Sequence, residues 1–434
     1  DNILEEGQGW YNCTFNTAGM PAKGYTLMIL TNRTYYNSDN LTLPYQTGVS
    51  SFFIETQPIL YEPMLNTSDE DGDTSENGSW SEARYFSVKV MDEDGDQVTV
   101  TLYKRHWTGT SWSSWQDVGS AFCINCNNQT LFINESGTPG SPYIPPADLG
   151  LWQYKFNCTD DENNPRTGGT QYNYTTQEFY YTVEKDDMEI QHYYPPNETT
   201  VWRNGTAFIT LSTRVYSIDQ QTYKSGVNGM VWITKDHVNL QNITEITSVT
   251  DGFMNYSLNP DCSYDVGVQL WLMGSVNNDN YKDVNSSVFN ITILANLTGN
   301  ITTPNGEAYQ EGENVTINFT VLDECGNGVA GLDSIVIYLY SDDSSYQITS
   351  GIIDYGDGNY SYNWSTLGKD LSPWYNITIE VDKEFYQGIT FYKNESFSLG
   401  KAPELQAPGI LAVSYTHLRA HETSLHLVCR LLLE

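Results

Sequence analysis

The chain has 434 residues and a formal net charge of −34, from 54 acidic and 20 basic residues. Charge this negative repels phosphate groups, so neither nucleic acid nor an anionic membrane surface is an expected partner. Hydrophobic residues make up 39% of the chain and aromatic residues 13%, which is enough for packed cores and too much for a disordered chain. The abundance of Tyr, with 32 residues, and of Trp, with 11, suits pleated surfaces and predicts an all-β protein.

The length predicts about three or four domains. No apolar stretch is long enough to span a membrane, so we expect no membrane insertion. The chain starts at Asp1 without a signal peptide, and we expect it to be a fragment truncated at both ends.

The first block, 1–57, aligns with the later half of the last block of the chain. The string EEGQGWYNCTFNTAG lies over DYGDGNYSYNWSTLG, which places Gly9 over Gly358 and Tyr11 over Tyr360. We therefore interpret residues 1–57 as the C-terminal half of a truncated β-sandwich domain.

Three fuller blocks follow, each with a turn-rich opening, an alternating strand and a second apolar strand. The second strands are predicted at 98–103, 229–234 and 334–340. Late in each block a glycine precedes aromatic or apolar residues, at Gly150, Gly252 and Gly358. Short strands between regular turn signals are typical of sandwich modules. The predicted domains are 58–185, 186–297 and 298–400.

An acidic string, DEDGD, occupies residues 92–96, and a second copy lies at 69–73. Calcium takes six to eight oxygen ligands, and alternate carboxylates around a glycine turn supply several of them. Asp92, Asp94 and Asp96 are therefore candidate calcium ligands. The alternative is an acidic turn between strands, where Asp and Gly are common for conformational reasons.

Three tryptophans, Trp107, Trp112 and Trp115, flank a Thr-Gly-Thr-Ser turn. Exposed indole faces stack on sugar rings and form binding hot spots. The alternative is cross-strand packing within a hairpin. The tryptophans are candidate ligand-binding residues under the first interpretation.

Three cysteines, Cys123, Cys126 and Cys158, lie in the same block. In an exported protein they are disulfide candidates, with one thiol left over. A zinc site formed with His106 is the alternative.

The asparagines are the most informative feature, because about 23 of them stand in N-x-S/T sequons. In the predicted strand that holds Asn314 and Asn318, apolar and polar residues alternate, so Asn and Thr share the wet face while the middle residue enters the core. Glycosylation requires an export route, which predicts an extracellular, cell-surface location. The glycosylation candidates are Asn242, Asn290, Asn314, Asn318 and Asn376.

Catalytic motifs are missing from the sequence. We find no nucleophile elbow, no H-E-x-x-H zinc motif and no phosphate loop, and no carboxylate pair is singled out. We therefore expect neither enzyme activity nor catalytic residues, and no cofactor other than calcium.

The strings FSVKVMDEDGDQVTVTL and VTINFTVLDECGNGVAG resemble the immunoglobulin-like repeats of prokaryotic surface proteins, namely the polycystic-kidney-disease-type and bacterial Ig-like modules. With this sequon density, archaeal envelope proteins are the most similar family. The resemblance covers 58–400 and implies tandem immunoglobulin-like β-sandwich domains. It implies a structural or adhesive surface glycoprotein (stalk, adhesin or S-layer-like) whose partners are other surface proteins or glycans. The alternative is a non-catalytic, carbohydrate-binding region of a secreted enzyme.

Residues 401–412 are predicted to be a linker. The tail, 413–434, contains three of the six histidines and no sequon, and it resembles translated sequencing-adapter read-through. We exclude this tail from the functional interpretation.

Overall fold

The computed structural model of the chain is built almost entirely of β-strands. It describes residues 3–43, 52–67, 77–93, 95, 97–134, 143–160 and 171–401. Within them the one helical element is a short 3-10 turn at Thr250–Gly252. The chain divides into two compact units, 1–295 and 296–434. The predicted all-β class is confirmed.

The N-terminal segment, residues 3–53, forms three separate two-stranded pairs, β1 with β2, β3 with β6 and β4 with β5. Their side chains are largely exposed, as at Trp10 (71%) and Leu30 (69%). Glu5 pairs with Tyr11 across the first hairpin. The strands are β1 (Ile3–Gly7), β2 (Trp10–Cys13), β3 (Gly24–Tyr25), β4 (Leu27–Thr31), β5 (Asp39–Leu43) and β6 (Phe52–Phe53).

The first sandwich, residues 59–184, contains nine strands around one apolar core that includes Phe86, Val100 and Phe156. The strands are β7 (Ile59–Thr67), β8 (Asn77–Ser79), β9 (Arg84–Met91), β10 (Gln97–His106), β11 (Gln116–Ile124), β12 (Gln129–Asn134), β13 (Gly150–Asp160), β14 (Asn173–Thr175) and β15 (Phe179–Glu184).

The second sandwich begins at Met188 and has its own core, which includes Leu211, Val231 and Trp271. Its strands are β16 (Met188–Tyr194), β17 (Thr199–Trp202), β18 (Ile209–Ser217), β19 (Thr222–Tyr223), β20 (Asn228–Thr234), β21 (Leu240–Thr247), β22 (Phe253–Leu258), β23 (Gly267–Ser275) and the first part of β24 (Phe289–Thr303).

The third sandwich uses the second part of β24, from Leu297 onward, and has a core that includes Phe319, Tyr375 and Phe397. Its further strands are β25 (Glu307–Gln310), β26 (Asn314–Asp323), β27 (Ser334–Tyr340), β28 (Ser345–Ile348), β29 (Ile353–Asp354), β30 (Asn359–Ser365), β31 (Ser372–Asp382), β32 (Tyr386–Gln387) and β33 (Ile389–Gly400).

All three sandwiches repeat one strand order. The smaller sheets run β7-β9-β12, β16-β18-β22 and β24-β26-β30-β29. The larger sheets run β8-β15-β13-β10-β11, β17-β24-β23-β20-β21 and β25-β33-β31-β27-β28, and each opens with a short strand parallel to its neighbour. A sheet of strands A, B, E and D facing a sheet of strands C, F and G defines the immunoglobulin sandwich. The chain is therefore a tandem array of immunoglobulin-like domains.

Alternation along the strands sorts side chains between core and surface. In β26, Val315, Ile317 and Phe319 are at most 1% exposed, while Asn314 and Thr316 face solvent. The predicted orientation of this strand is confirmed, because a pleated strand turns successive side chains to opposite faces.

One element of the repeat alignment is wrong. Gly252 and Gly358 precede strands β22 and β30, which pair with β18 and β26 respectively in the smaller sheets. Gly150 instead opens β13, which lies in the larger sheet beside β10. A positive-φ glycine before a strand marks a turn, but it does not specify which sheet receives the strand.

Candidate functional site

The tryptophan hairpin of the first sandwich is packed together by cation–π contacts. Trp107 and Trp112 form an isolated antiparallel bridge, and their rings meet edge to face with centroids 5.4 Å apart. The Arg105 guanidinium carbon lies 5.0 Å from the Trp112 ring centroid and 4.4 Å from that of Trp115. Lys155 Nζ lies 4.3 Å from the same Trp115 ring. All three tryptophans are half-buried.

Arg105 is fixed in this stack by two further side chains. Its Nε donates to Gln153 Oε1 at 2.6 Å, and its Nη2 meets Glu178 Oε2 at 3.0 Å. A guanidinium held in this way covers ring faces that a sugar would need, so Trp112 and Trp115 have less free surface than the sequence suggested. Sequence reasoning missed Arg105. The signal was a basic residue next to three tryptophans in a chain with few basic residues, which favours a cation–π contact.

Trp107 differs from the other two tryptophans because it borders an open cavity of about 470 Å³. His106, Thr108, Pro146 and Leu149 also line this cavity. His106 Nε2 lies 3.1 Å from the Leu149 carbonyl oxygen, and its ring stacks on Trp152. A half-buried indole beside polar groups is an arrangement that can contact a sugar ring.

The acidic string is described only in part. Asp92 is 6% exposed, its N–H donates to the Cys126 carbonyl oxygen at 2.7 Å, and its carboxylate accepts from Thr56 Oγ1 at 3.3 Å. Asp94 and Asp96 lie outside the described residues. Among the residues that are described, no group of three or more His, Cys, Asp or Glu is placed to hold a metal ion. Calcium binding here stays a prediction, which melting with and without a chelator would test.

The cysteines of the first sandwich take different states. Cys123 and Cys126 form a disulfide. Cys158 is a buried free thiol, and burial raises its pKa to about 12. The disulfide engages two of the thiols that the zinc alternative requires.

The predicted glycosylation sites differ in exposure. Asn242 and Asn314 are exposed, whereas Asn290, Asn318 and Asn376 are half-buried. The Asn290 side-chain oxygen accepts from the Glu198 backbone N–H at 2.6 Å, and that of Asn376 accepts from the Glu395 N–H at 2.7 Å. Glycosylation itself stays a prediction.

The junction between the first two sandwiches contains a fully buried carboxylate that sequence reasoning missed. Asp186 Oδ1 accepts from the Ser81 N–H at 3.2 Å, and Oδ2 accepts from Gln220 Nε2 at 2.5 Å. Its backbone N–H donates to Asn280 at 3.0 Å, and its carbonyl accepts from Lys282 at 2.9 Å.

These contacts join both sandwiches, because Ser81 belongs to the first and the other three partners belong to the second. Burial raises the pKa of Asp186, and hydrogen bonds from Gln220 and Ser81 partly oppose the rise. The signal in the sequence was the spacing: only residues 185–187 separate β15 from β16.

In the part of the chain that the structure describes, no helix has the length and apolar character needed to cross a membrane.

Comparison with known proteins identifies no family. No protein-family model matches the chain. No curated protein matches it either.

Solved structures of tandem repeats are similar to the chain at low identity. A tetra-tandem repeat from the extending region of a large adhesion protein is 11% identical, with a TM-score of 0.40, and the match covers 86% of this chain and 81% of that one. The titin I-band fragment I67–I69 is 10% identical, with a TM-score of 0.34, and the match covers 80% of this chain and 100% of that one. Extracellular domains 3–5 of Drosophila OTK are 9% identical, with a TM-score of 0.26, and the match covers 75% of this chain and 94% of that one. The assignment of the fold rests on the strand order of the chain itself.

Proposed function

We propose that this chain is a segment of an extracellular surface glycoprotein with a structural or adhesive role, in which the first two immunoglobulin-like sandwiches are joined stiffly. The observation that carries the proposal is the junction at Asp186, where a three-residue connection is hydrogen-bonded to both neighbouring sandwiches. Domains joined in one chain usually move relative to each other. A connection that is hydrogen-bonded to both of its neighbours restricts this motion, which favours a load-bearing role.

The charge and the sequons support the extracellular location. A net charge of −34 favours solubility, and glycans on outward strand faces would hinder edge-to-edge association. Other surface proteins or glycans are the expected partners, and they would bind loops on the rigid scaffold.

The test of this proposal is protease treatment of intact cells of the source organism. An antibody against the second sandwich should stain cells without permeabilisation, and external protease should abolish the signal. Staining that requires permeabilisation would contradict the surface location.

A second candidate function, carbohydrate binding as an accessory region of a secreted enzyme, is favoured by the cavity at Trp107. Trp107→Ala should then reduce retention on an insoluble polysaccharide. Trp115→Ala is the matched control, because Arg105 and Lys155 already cover that ring. Equal retention of the wild-type chain and Trp107→Ala would remove this candidate.

A further inference from the structure

The outer face of the larger sheet in the third sandwich exposes several aromatic rings around the sequon asparagine Asn376, and a second sequon asparagine, Asn394, lies on the neighbouring strand β33. Tyr392 is 72% exposed, Trp374 is 45% exposed and Tyr340 is 39% exposed. Exposed aromatic rings on one sheet face offer flat apolar surfaces that a ligand or an attached group can contact.

The strand register places these rings around Asn376. Trp374, Asn376 and Thr378 alternate with buried residues along β31, so all three point to the outer face. Tyr340 of β27 pairs directly with Asn376, and Tyr392 of β33 pairs with Thr378. Directly paired side chains on one face lie close enough to contact the same group.

An open cavity of about 410 Å³ lies at this position, lined by Trp374, Asn376, Asn394 and Glu395 among others. The Asn376 side-chain oxygen accepts from the Glu395 N–H at 2.7 Å. That contact uses the carbonyl oxygen and not the amide nitrogen, which is the atom that forms an N-glycosidic bond. The hydroxyl of Thr378 completes the sequon on the same face.

We propose that Asn376 carries an N-linked glycan whose first sugar packs on the Trp374 ring, with Tyr340 and Tyr392 beside it. Sugar rings present C–H groups to the electron-rich faces of aromatic rings, and this contact removes apolar surface of both from water. The inference rests on the proposed function, because attachment requires passage through an export route.

The attachment is a group transfer from a lipid-linked oligosaccharide phosphate, supplied by the transferase of the export route. The bond between Asn376 Nδ2 and sugar C1 forms, and the bond between C1 and the phosphate oxygen breaks. The lipid phosphate leaves with the electron pair, and one Nδ2 proton passes to a base of the transferase.

Asn314 in the same sandwich provides a matched control. It lies on a strand face in an intact sequon, but the residue two positions before it is Gly312 rather than an aromatic residue. A glycan at Asn314 would therefore lack the equivalent of Trp374.

The experiment compares the full chain secreted from a glycosylating host with the chain made in bacteria. Mass spectrometry should find a glycan at Asn376. Asn376→Gln disturbs the hydrogen bond from the Glu395 N–H in both hosts. In the glycosylating host it should lower the Tm of the third sandwich by about 4–8 °C more than in bacteria, the shift that an approximately fivefold change in the folding equilibrium produces. Asn314→Gln should show no such difference between the hosts.

Trp374→Ala separates the stacking contact from a general effect of glycosylation. In this background, Asn376→Gln should lower the Tm by the same amount in both hosts. An unmodified Asn376 beside a modified Asn314, or the same difference in Tm between hosts for the two sequons, would overturn the inference. The absence of glycan from every sequon would instead count against the proposed glycoprotein.

Discussion

The indole Nε1 of Trp80 donates a hydrogen bond to the carbonyl oxygen of Asn280 at 2.8 Å, and this bond joins the first sandwich to the second. It lies beside Asp186, whose N–H donates to the same carbonyl oxygen at 3.0 Å. Lys282 Nζ adds ion pairs to Glu184 at 3.1 Å and to Asp187 at 2.9 Å. A backbone hydrogen bond, an indole hydrogen bond and two ion pairs therefore act at this joint. Each of these contacts limits bending of the short connection.

Trp80→Phe should loosen this joint, and because Trp80 also packs against the core of the first sandwich, the effect on that core is measured separately. The phenyl ring keeps most of the apolar contact but cannot donate to Asn280, and a neutral hydrogen bond contributes about 1 kcal/mol. The population of an open joint should rise about fivefold. Amide hydrogen exchange at Asp186 and Lys282, whose N–H groups bond the connecting segment to the second sandwich, should accelerate by the same factor.

Amides in β10 and β13, which lie in the core of the first sandwich, serve as the internal control. Faster exchange in those strands would mean that Trp80→Phe destabilises the whole sandwich. Unchanged exchange at Asp186 would show that the indole bond does not hold the joint.

Asp186→Asn should change how the free energy of unfolding of the unit 1–295 depends on pH. Burial raises the pKa of Asp186 above its ordinary value of 3.8, so the folded state disfavours the ionised carboxylate. The stabilising contribution is therefore present below the unfolded-state pKa and is lost as the pH rises through the folded-state pKa. Asn does not titrate. Relative to Asp186→Asn, the wild-type chain should gain stability as the pH falls towards 4.

Denaturant unfolding of the wild type and of Asp186→Asn, from neutral pH down to about 4, measures the difference between their free energies of unfolding. The other carboxylates titrate in both proteins, so their contribution drops out of this difference. Lys224 is the neighbouring basic group, and burial lowers its pKa while the charge of Asp186 opposes that change. Repeating the comparison in a Lys224→Met background therefore shows the pH dependence of Asp186 without the charge of Lys224. A difference between wild type and Asp186→Asn that stays constant with pH would contradict the prediction.

The two free thiols of the described residues should react at very different rates. Cys13 is exposed, whereas Cys158 is buried with its pKa raised to about 12. At pH 8 only about one Cys158 side chain in ten thousand is a thiolate, and the thiolate is the reactive form. Pulse alkylation followed by peptide mass spectrometry should label Cys13 in the native chain and Cys158 only after denaturation. Rapid labelling of Cys158 in the native state would indicate local opening of β13.

Much of the fold follows from local patterns, because alternation and turn chemistry are properties of neighbouring residues. The buried and exposed faces of β26 are an example, since Phe319 is 1% exposed and Asn314 faces solvent. The hairpin alignment of the N-terminal segment is another. Glu5 pairs with Tyr11 as Asp354 pairs with Tyr360, which is the correspondence that the two strings imply.

The candidate sites were less accessible to sequence reasoning, because they depend on partners distant along the chain. Trp112 and Trp115 formed a plausible sugar platform until Arg105 and Lys155 were placed over their faces. In the sequence, residue 186 marked only a predicted domain boundary, yet the partners of Asp186, Ser81 and Gln220, come from two different sandwiches. No local pattern encodes contacts of this separation.

The glycine before β30 gives a prediction that separates backbone strain from crowding. Gly358 has φ +82°, and a Cβ there would lie 2.5 Å from Gly328 Cα and 2.6 Å from the Val321 carbonyl oxygen. Gly306 has φ +90° with no atom within 4 Å of its Cβ position. Gly306→Ala should cost about 1–2 kcal/mol, from backbone strain alone. Gly358→Ala should cost about 1–3 kcal/mol more, because the neighbouring backbone must move.

Denaturant midpoints of the third sandwich give both values under one condition. The buried Tyr360 follows Gly358 by two residues, and its hydroxyl donates to the Val329 carbonyl oxygen at 2.8 Å, so a displaced strand would also lose that bond. Tyr360→Phe removes the bond alone and should cost about 1 kcal/mol. If Gly358→Ala proves no worse than Gly306→Ala, close backbone approach is not the reason that glycine is required here, and positive φ alone accounts for it.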